Sequence, residues 1–396
     1  MEPQFIPSRA EFRELSKRGN VIPVYADLIA DSDTPVSAFS KLDRGGYSFL
    51  FESTEKNDVS GRFSFVGTDP QIVILSRDDE IAITERNETQ TFRFSSDPLS
   101  ELRRLMARYQ FVRRPELPGF VGGAVGFLGY DAARFFEPTV PLAKQDDLNL
   151  PEMLFMIAGA VVVFDHRLRT VRILNNAFFN AGDDPDKIYN HARQGIRDVL
   201  ERLQAPTNLP SLDVNCTGMT IAPRSNVSRD EFERLVRETK EHIKAGDIFQ
   251  LVLSRQFEVD FDKDPLGLYR CLRFVNPSPY MFCLNFADDF SLVGSSPELH
   301  VRVVDGLVEI RPIAGTRPRG HTPEEDERNA ADLLADAKEQ AEHVMLLDLA
   351  RNDLGRIAEF RSVRVTEKMS IERYSHVMHI VSHVVARLRG DRDAYD

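Results

Sequence analysis

The pattern Glu339-x-x-Glu342-His343 falls inside a helix-patterned run, Ala330–Ala350. Residues three and four apart share a helix face, so both carboxylates can turn into one site. Paired carboxylates suit Mg2+, a hard cation that takes oxygen ligands and keeps several waters. Bound Mg2+ would also let an acidic protein hold a polyanionic substrate. Glu, Lys and Gln dominate Ala337–His343, however, and spacing alone favours a solvated helix face.

A second group of reactive side chains lies in Ser370–Val384, which contains His376, His379 and His383. An imidazole can act as general acid or base near neutral pH. On a helix, His379 and His383 would be an i,i+4 pair able to hold zinc. The β-branched residues and the alternation from Met378 to Val381 favour a strand instead, expected to turn the histidines in different directions and to exclude zinc. On pattern alone, a buried, hydrogen-bonded role is favoured for each histidine. Arg311–Gly320 (RPIAGTRPRG) follows an expected strand. Gly315 would allow close backbone approach, Thr316 offers a hydroxyl, and three arginines could grip carboxylates bidentately; a basic loop between strands fits as well. The run Gly122-Gly123-x-x-Gly126-x-x-Gly129 lacks the spacing of a dinucleotide site and reads as tight sheet turns.

These residues need a scaffold, and the pattern around them is rich in hairpins. Gln71–Leu75 and Glu80–Thr84 flank a polar turn, Phe155–Phe164 and Thr170–Leu174 flank Asp165–Arg169, and His300–Val304 and Leu307–Ile310 flank Asp305-Gly306. Hairpins imply antiparallel sheet. Helices are marked by Asp97-Pro98, by Asp184-Pro185 and by the box Ser228-x-x-Glu231, whose helix should end at Gly246. The Pro-, Thr- and Asn-rich stretch Gln204–Pro223 reads as a connection. The expected fold is α+β: two large antiparallel sheets packed as a sandwich, helices outside. The expected organisation is an N-terminal half (1–204), a connection (205–223) and a C-terminal half (224–396).

With 50 basic and 62 acidic residues the formal charge is -12, which disfavours contact with nucleic acid phosphates. The 42% hydrophobic content is enough for a substantial core. Three cysteines, Cys216, Cys271 and Cys283, form no close pair and fit reduced thiols in the cytoplasm. No signal-peptide pattern opens the chain, and no apolar run approaches the ~20 residues of a membrane helix.

Taken together, GDIFQLVLS (Gly246–Ser254), NPSPYMF (Asn276–Phe282), GSSPEL (Gly294–Leu299), PIAGTRPRG (Pro312–Gly320), KEQAEHVMLLDLARNDLG (Lys338–Gly355) and YSHVMHIVS (Tyr374–Ser382) resemble the chorismate-utilising enzymes, specifically the anthranilate synthase large subunits. The resemblance implies a lyase making anthranilate and pyruvate from chorismate and ammonia, with a glutamine amidotransferase subunit as ammonia source. It implies Mg2+ held by Glu342 with Glu339 nearby, chorismate contacts at Gly315 and Thr316, and His379 assisting departure of the substrate hydroxyl. Glu298 resembles a further active-site carboxylate. Relatives making isochorismate carry a water-activating lysine where this chain has Gln250, and those making aminodeoxychorismate typically carry lysine at Ala314. Both absences favour ammonia as nucleophile. Phe51-Glu52-Ser53 and Gly61-Arg62-Phe63-Ser64 resemble the tryptophan-feedback segment, implying an inhibitor site lined by Glu52, Ser53, Pro279, Tyr280 and Met281.

The family continues for roughly a further hundred residues, including a Gly-rich segment and a second acidic cluster. The resemblance therefore implies that these 396 residues alone are catalytically incompetent. The alternatives are an aminodeoxychorismate synthase, a tryptophan-binding fragment without turnover, and, more remotely, a zinc hydrolase built on the histidines.

Overall fold

The computed structural model describes residues 3–29, 31–53, 61–141, 146, 148–180, 182–213, 221–287 and 289–396; Cys216 lies outside them. The chain divides into two compact units, 1–209 with 268–396, and 210–267. This differs from the expected 1–204, 205–223 and 224–396. The reason is strand pairing: Tyr280–Phe286, from the later half, pairs with Tyr47–Glu52 from the earlier one.

In the larger unit every strand ladder is antiparallel, as the hairpin signals implied. A seven-stranded sheet runs in the order Val21–Ile29, Thr170–Phe178, Ala160–Asp165, Phe63–Thr68, Tyr47–Glu52, Tyr280–Phe286, Phe290–Ser296. A five-stranded sheet runs Glu88–Arg93, Glu80–Glu85, Ile72–Arg77, Met153–Ala158, Gly123–Leu128. The glycine-rich run around Gly126 is therefore a strand and not a set of turns. The two sheets form a sandwich: Tyr25, Phe49, Val163, Leu284 and Phe286 of the first share one buried cluster with Val73, Val125, Leu154 and Met156 of the second. Each fully buried aromatic or aliphatic side chain contributes about 1.5–3 kcal/mol through area removed from water. Helices cover the outer faces; Leu102 and Leu105 of Pro98–Met106, for example, pack under Ile72, Ile74 and Ile81.

The Phe155–Phe164 run, expected as one strand, is two. It breaks at Gly159, so Met153–Ala158 pairs in the five-stranded sheet and Ala160–Asp165 in the seven-stranded one. Both halves are buried on both sides, so hydrophobicity alone gave no sign of the crossing.

A third sheet was not foreseen as a separate layer. The Val377–Arg387 strand is its spine, pairing along one edge with Leu307–Ile310 and Ile313–Pro318 and along the other with Arg364–Arg373. Arg302–Val304 extends it through the Asp305-Gly306 hairpin. Two helices cover one face, where Leu333 meets Met378 and Ile380, and Leu347 and Leu354 meet Val308 and Val384. The expected single helix over Ala330–Ala350 is divided at Asp336, which is extended (ψ 111°) and accepts from the backbone N–H groups of Lys338 and Glu339. It thereby ends Pro323–Ala335 and caps Ala337–Ile357.

In the smaller unit, Ser228 caps the Arg229–Ala245 helix, which stops at left-handed Gly246 (φ 81°). Arg224–Ser225 pairs with Phe257–Glu258.

Candidate active site and ligand cavity

The third sheet is built around one irregularity. The pairing of Ile313–Pro318 with Val377–Arg387 shifts register between Ala314 and Thr316, leaving Gly315 as the bulged residue. Its φ of +72° favours glycine, and a Cβ there would lie 3.2 Å from Glu339 Oε2 and 3.1 Å from Leu333 Cδ1. The bulge turns the Gly315 carbonyl onto His379, whose Nδ1 is 2.8 Å away. A carbonyl only accepts, so Nδ1 carries the hydrogen and Nε2 is left with its lone pair. Thr316 Oγ1 lies 3.1 Å from the same Nδ1. On the other side, the Tyr374 ring stands edge-on to the imidazole at 5.5 Å between centroids, and its hydroxyl donates to Glu372 at 2.8 Å. The imidazole is thus fixed in tautomer and in orientation.

Two carboxyl groups belong to this centre. Glu298, whose surface stays exposed, is raised above its ordinary value by partial desolvation, opposed by the charges of His300 and then His379. Glu339 presses on Gly315. Glu342 follows one turn later, and the Lys338 ammonium lies 3.3 Å from Glu339 and 3.7 Å from Glu342. Lys338 is held charged by Glu339 first and then by Glu342, so this helix edge already attracts a cation. His343 turns the other way: it is fully buried, 2.7 Å from Ser382 Oγ, and burial lowers its pKa, so it is neutral at pH 7.

The three arginines of Arg311–Gly320 are taken by protein carboxylates: Arg311 by Glu372, Arg317 by Asp332 at 2.7 Å and Asp336 at 2.9 Å, and Arg319 by Asp326 at 2.7 Å. Arg317 and Arg319 tie the end of the bulged strand to the helix Pro323–Ala335 and its cap, and Arg311 reaches the neighbouring Arg364–Arg373 strand. His379 and His383 are indeed on a strand, with His376 in the bend before it, but parity places His379 and His383 on the same face, four residues and about 13 Å apart. Their partners differ, since His383 Nε2 is 2.8 Å from Glu309. Among the described residues no three His, Cys, Asp or Glu side chains form a metal cluster. Gln250 belongs to the smaller unit, where it is exposed in the loop after Gly246.

Against the Tyr47–Glu52, Phe63–Thr68 and Tyr280–Phe286 strands of the seven-stranded sheet lies a cavity of 480 Å³ lined by all five residues expected there, Glu52, Ser53, Pro279, Tyr280 and Met281. Its apolar wall is Phe51, Phe63, Phe65, Phe120 and Phe282, with Arg302 also on the lining. The Ser53 hydroxyl is buried without a hydrogen-bond partner among the described residues. Glu52 and Met281 pair in register and so share a strand face. That face is the outer one: the Glu52 carboxylate accepts from Tyr269 at 2.7 Å and lies 3.1 Å from Arg273. Burial, and then the Glu52 charge, push the Tyr269 phenol far above its ordinary value. Glu52 and Met281 therefore offer backbone to the cavity, and Phe51, Tyr280 and Phe282 alternate with them. Arg302 was missed, although the two-residue turn Asp305-Gly306 sets it directly opposite Glu309.

A profile of the chorismate binding enzyme family matches residues 47–396. The chain belongs to the chorismate binding enzymes. Within that family it is 40% identical to anthranilate synthase component 1 of Acetivibrio thermocellus, over 99% of this chain and 79% of the relative. It is 43% identical to the Pseudomonas aeruginosa protein of the same name, over 98% of this chain and 79% of that one. The solved anthranilate synthase component I of Streptococcus pneumoniae superposes with a TM-score of 0.72 at 31% identity, covering 93% of this chain and 77% of that one. The menaquinone-specific isochorismate synthase of Escherichia coli (TM-score 0.62, 14% identity, 98% and 76% covered) shares the fold. This chorismate binding enzyme thus sits with the component 1 proteins, and none of its described helices is long and apolar enough to cross a membrane.

Proposed function

We propose that the His379 centre acts on chorismate as an anthranilate-forming lyase, and that the aromatic cavity takes tryptophan as feedback inhibitor. The observation that carries the first part is the locked imidazole. With Nδ1–H held by Gly315, Nε2 is the atom that, once protonated, can deliver a proton to a departing hydroxyl. Glu298, raised by desolvation, is the carboxyl we assign to exchange that proton. The balance is loss of the ring hydroxyl as water, addition of ammonia, and elimination of the enolpyruvyl group as pyruvate, leaving the aromatic amine. Ala314 is buried and offers no amine, which supports ammonia as the nucleophile over a lysine-based reaction.

Glu339 and Glu342 fit Mg2+ as two hard-oxygen ligands on an edge that already draws a cation, and substrate and water would complete the shell. Bound there, the ion would neutralise a substrate carboxylate. The protein's own part is to orient the imidazole, supply the proton and keep Glu339 against the bulge. The component 1 names of the relatives imply a second subunit, and we assign it the role of a glutamine amidotransferase delivering ammonia. Exposed Cys271 and buried Cys283 are in no disulfide among the described residues, which fits a reducing cytoplasm.

The test is anthranilate fluorescence with chorismate, Mg2+ and ammonium, repeated with tryptophan. Anthranilate formation that tryptophan suppresses supports both parts; formation of another product from chorismate sinks the first. A second reading, tryptophan binding without turnover, is favoured by the cavity alone, which is independent of the His379 centre. Calorimetric binding of tryptophan with no product would select it.

A further inference from the structure

One polar chain on the face of the third sheet turned away from its helices runs from the aromatic cavity toward His379. Arg302 lines the cavity and is ion-paired with Glu309 directly across the Asp305-Gly306 hairpin. Glu309 is buried, and its second partner is His383, at 2.8 Å. His383 Nδ1 lies 3.0 Å from Thr366 on the flanking strand. His383 and His379 lie on the same face of the same strand, with only Val381 between them on that face.

The two ends of the Arg302–Glu309 pair differ in freedom. The Glu309 side chain is 10% exposed and the Arg302 side chain 49%. The guanidinium can therefore turn, while the carboxylate stays. Its other reachable environment is a cavity with five phenylalanines and a Ser53 hydroxyl without a hydrogen-bond partner among the described residues, which suits an aromatic amino acid whose carboxylate needs a cation. We infer that Arg302 is exchanged between two carboxylates: Glu309 in the empty protein and the ligand's own carboxylate when the cavity fills. The exchange rests on the tryptophan reading above and names how that site would speak to the other.

When Arg302 leaves, Glu309 keeps its charge with one partner in place of two. A buried carboxylate so exposed draws harder on the His383 Nε2 hydrogen, and the field along the strand changes at His379. Coupling between such sites is placed at the low end of the usual allosteric range, about five- to tenfold. By linkage the effect is reciprocal, so chorismate must weaken tryptophan by the same factor as tryptophan weakens chorismate.

The experiment is calorimetry of tryptophan binding with and without saturating chorismate and Mg2+, on the wild type, Arg302→Gln and Glu309→Gln, each checked for an unchanged circular dichroism spectrum. Arg302→Gln should weaken tryptophan at least tenfold. Glu309→Gln frees Arg302 in advance, so tryptophan should bind as tightly or up to tenfold more tightly, while the effect of chorismate falls below twofold. A merely structural role for Glu309 would weaken binding instead. Wild-type binding with coupling retained in Glu309→Gln overturns the exchange and leaves the tryptophan site standing. Absence of tryptophan binding by the wild type overturns both.

Discussion

Replacing Gly315 by alanine should destabilise the third sheet by about 2–3 kcal/mol, and the figure has two separable parts. An L-residue at φ +72° occupies the left-handed region at a cost of about 1–2 kcal/mol. The new Cβ would meet Leu333 Cδ1 at 3.1 Å, Glu339 Oε2 at 3.2 Å and Ile380 Cδ1 at 3.4 Å. Leu333 and Ile380 are both fully buried and cannot retreat, so one extra methyl adds about 1 kcal/mol of overpacking. Glu339 is the neighbour that can move, and it moves away from the bulge. The measurement is urea unfolding followed by circular dichroism and by tyrosine emission, since the chain contains no tryptophan. Gly355→Ala is the control: it lies within the Ala337–Ile357 helix with nothing within 4 Å of a Cβ, so it should stabilise by about 0.5–1 kcal/mol. A Gly315→Ala protein within about 0.5 kcal/mol of wild type, beside a control that gains as expected, would refute the bulge as the element that seats His379.

His379→Gln should lower anthranilate formation by about 10²- to 10⁴-fold while changing chorismate affinity little, a split read from kcat and KM. Glu342→Gln should weaken Mg2+ by at least about tenfold in a metal titration monitored by chorismate binding; an unchanged titration removes this residue from the metal shell. Tyr269→Phe leaves the buried Glu52 carboxylate without its closest donor and should cost about 1–3 kcal/mol in the same urea assay. Asp326, buried between Arg319, Arg373 and the Gly320 N–H, has a pKa held well below the carboxylate range, Arg319 contributing most. Its folded pKa is below its unfolded one, so its stabilisation is present above about pH 4 and disappears as pH falls toward the folded value. The stability gap between wild type and Asp326→Asn should therefore close on acidification, and a gap that stays constant from pH 7 to pH 3 contradicts the pairing.

What could be read from the sequence divides by distance along the chain. The Asp305-Gly306 turn, the starts at Asp97, Asp184 and Ser228, and the strand character of Met378–Val381 are local signals, and each corresponds to an element in the structure. The break at Gly159 and the cap at Asp336 were hidden because a hydrophobic run and a helical run each continue through them; only tertiary pairing tells the two halves apart. Which side chains enter the cavity was illegible for a related reason. The segments around Glu52 and Met281 point to one cavity, but which of alternate residues enters it depends on register with a strand more than two hundred positions away.

The same argument explains why the residues between the two sites went unread. Arg302 and Glu309 are seven apart and form the cross-strand pair that a two-residue hairpin turn dictates, so this half of the chain was accessible from local spacing. The Glu309–His383 contact spans 74 positions and depends on Leu307–Ile310 lying beside Val377–Arg387, which no local pattern encodes. Motif residues such as Gly315, Thr316 and His379 are legible because the reacting groups must be of fixed types. The groups joining them to a distant cavity need only charge, reach and a common sheet face, and many sequences satisfy those demands. A coupling path is therefore the part of such a protein that has to be found in its register rather than in its motifs.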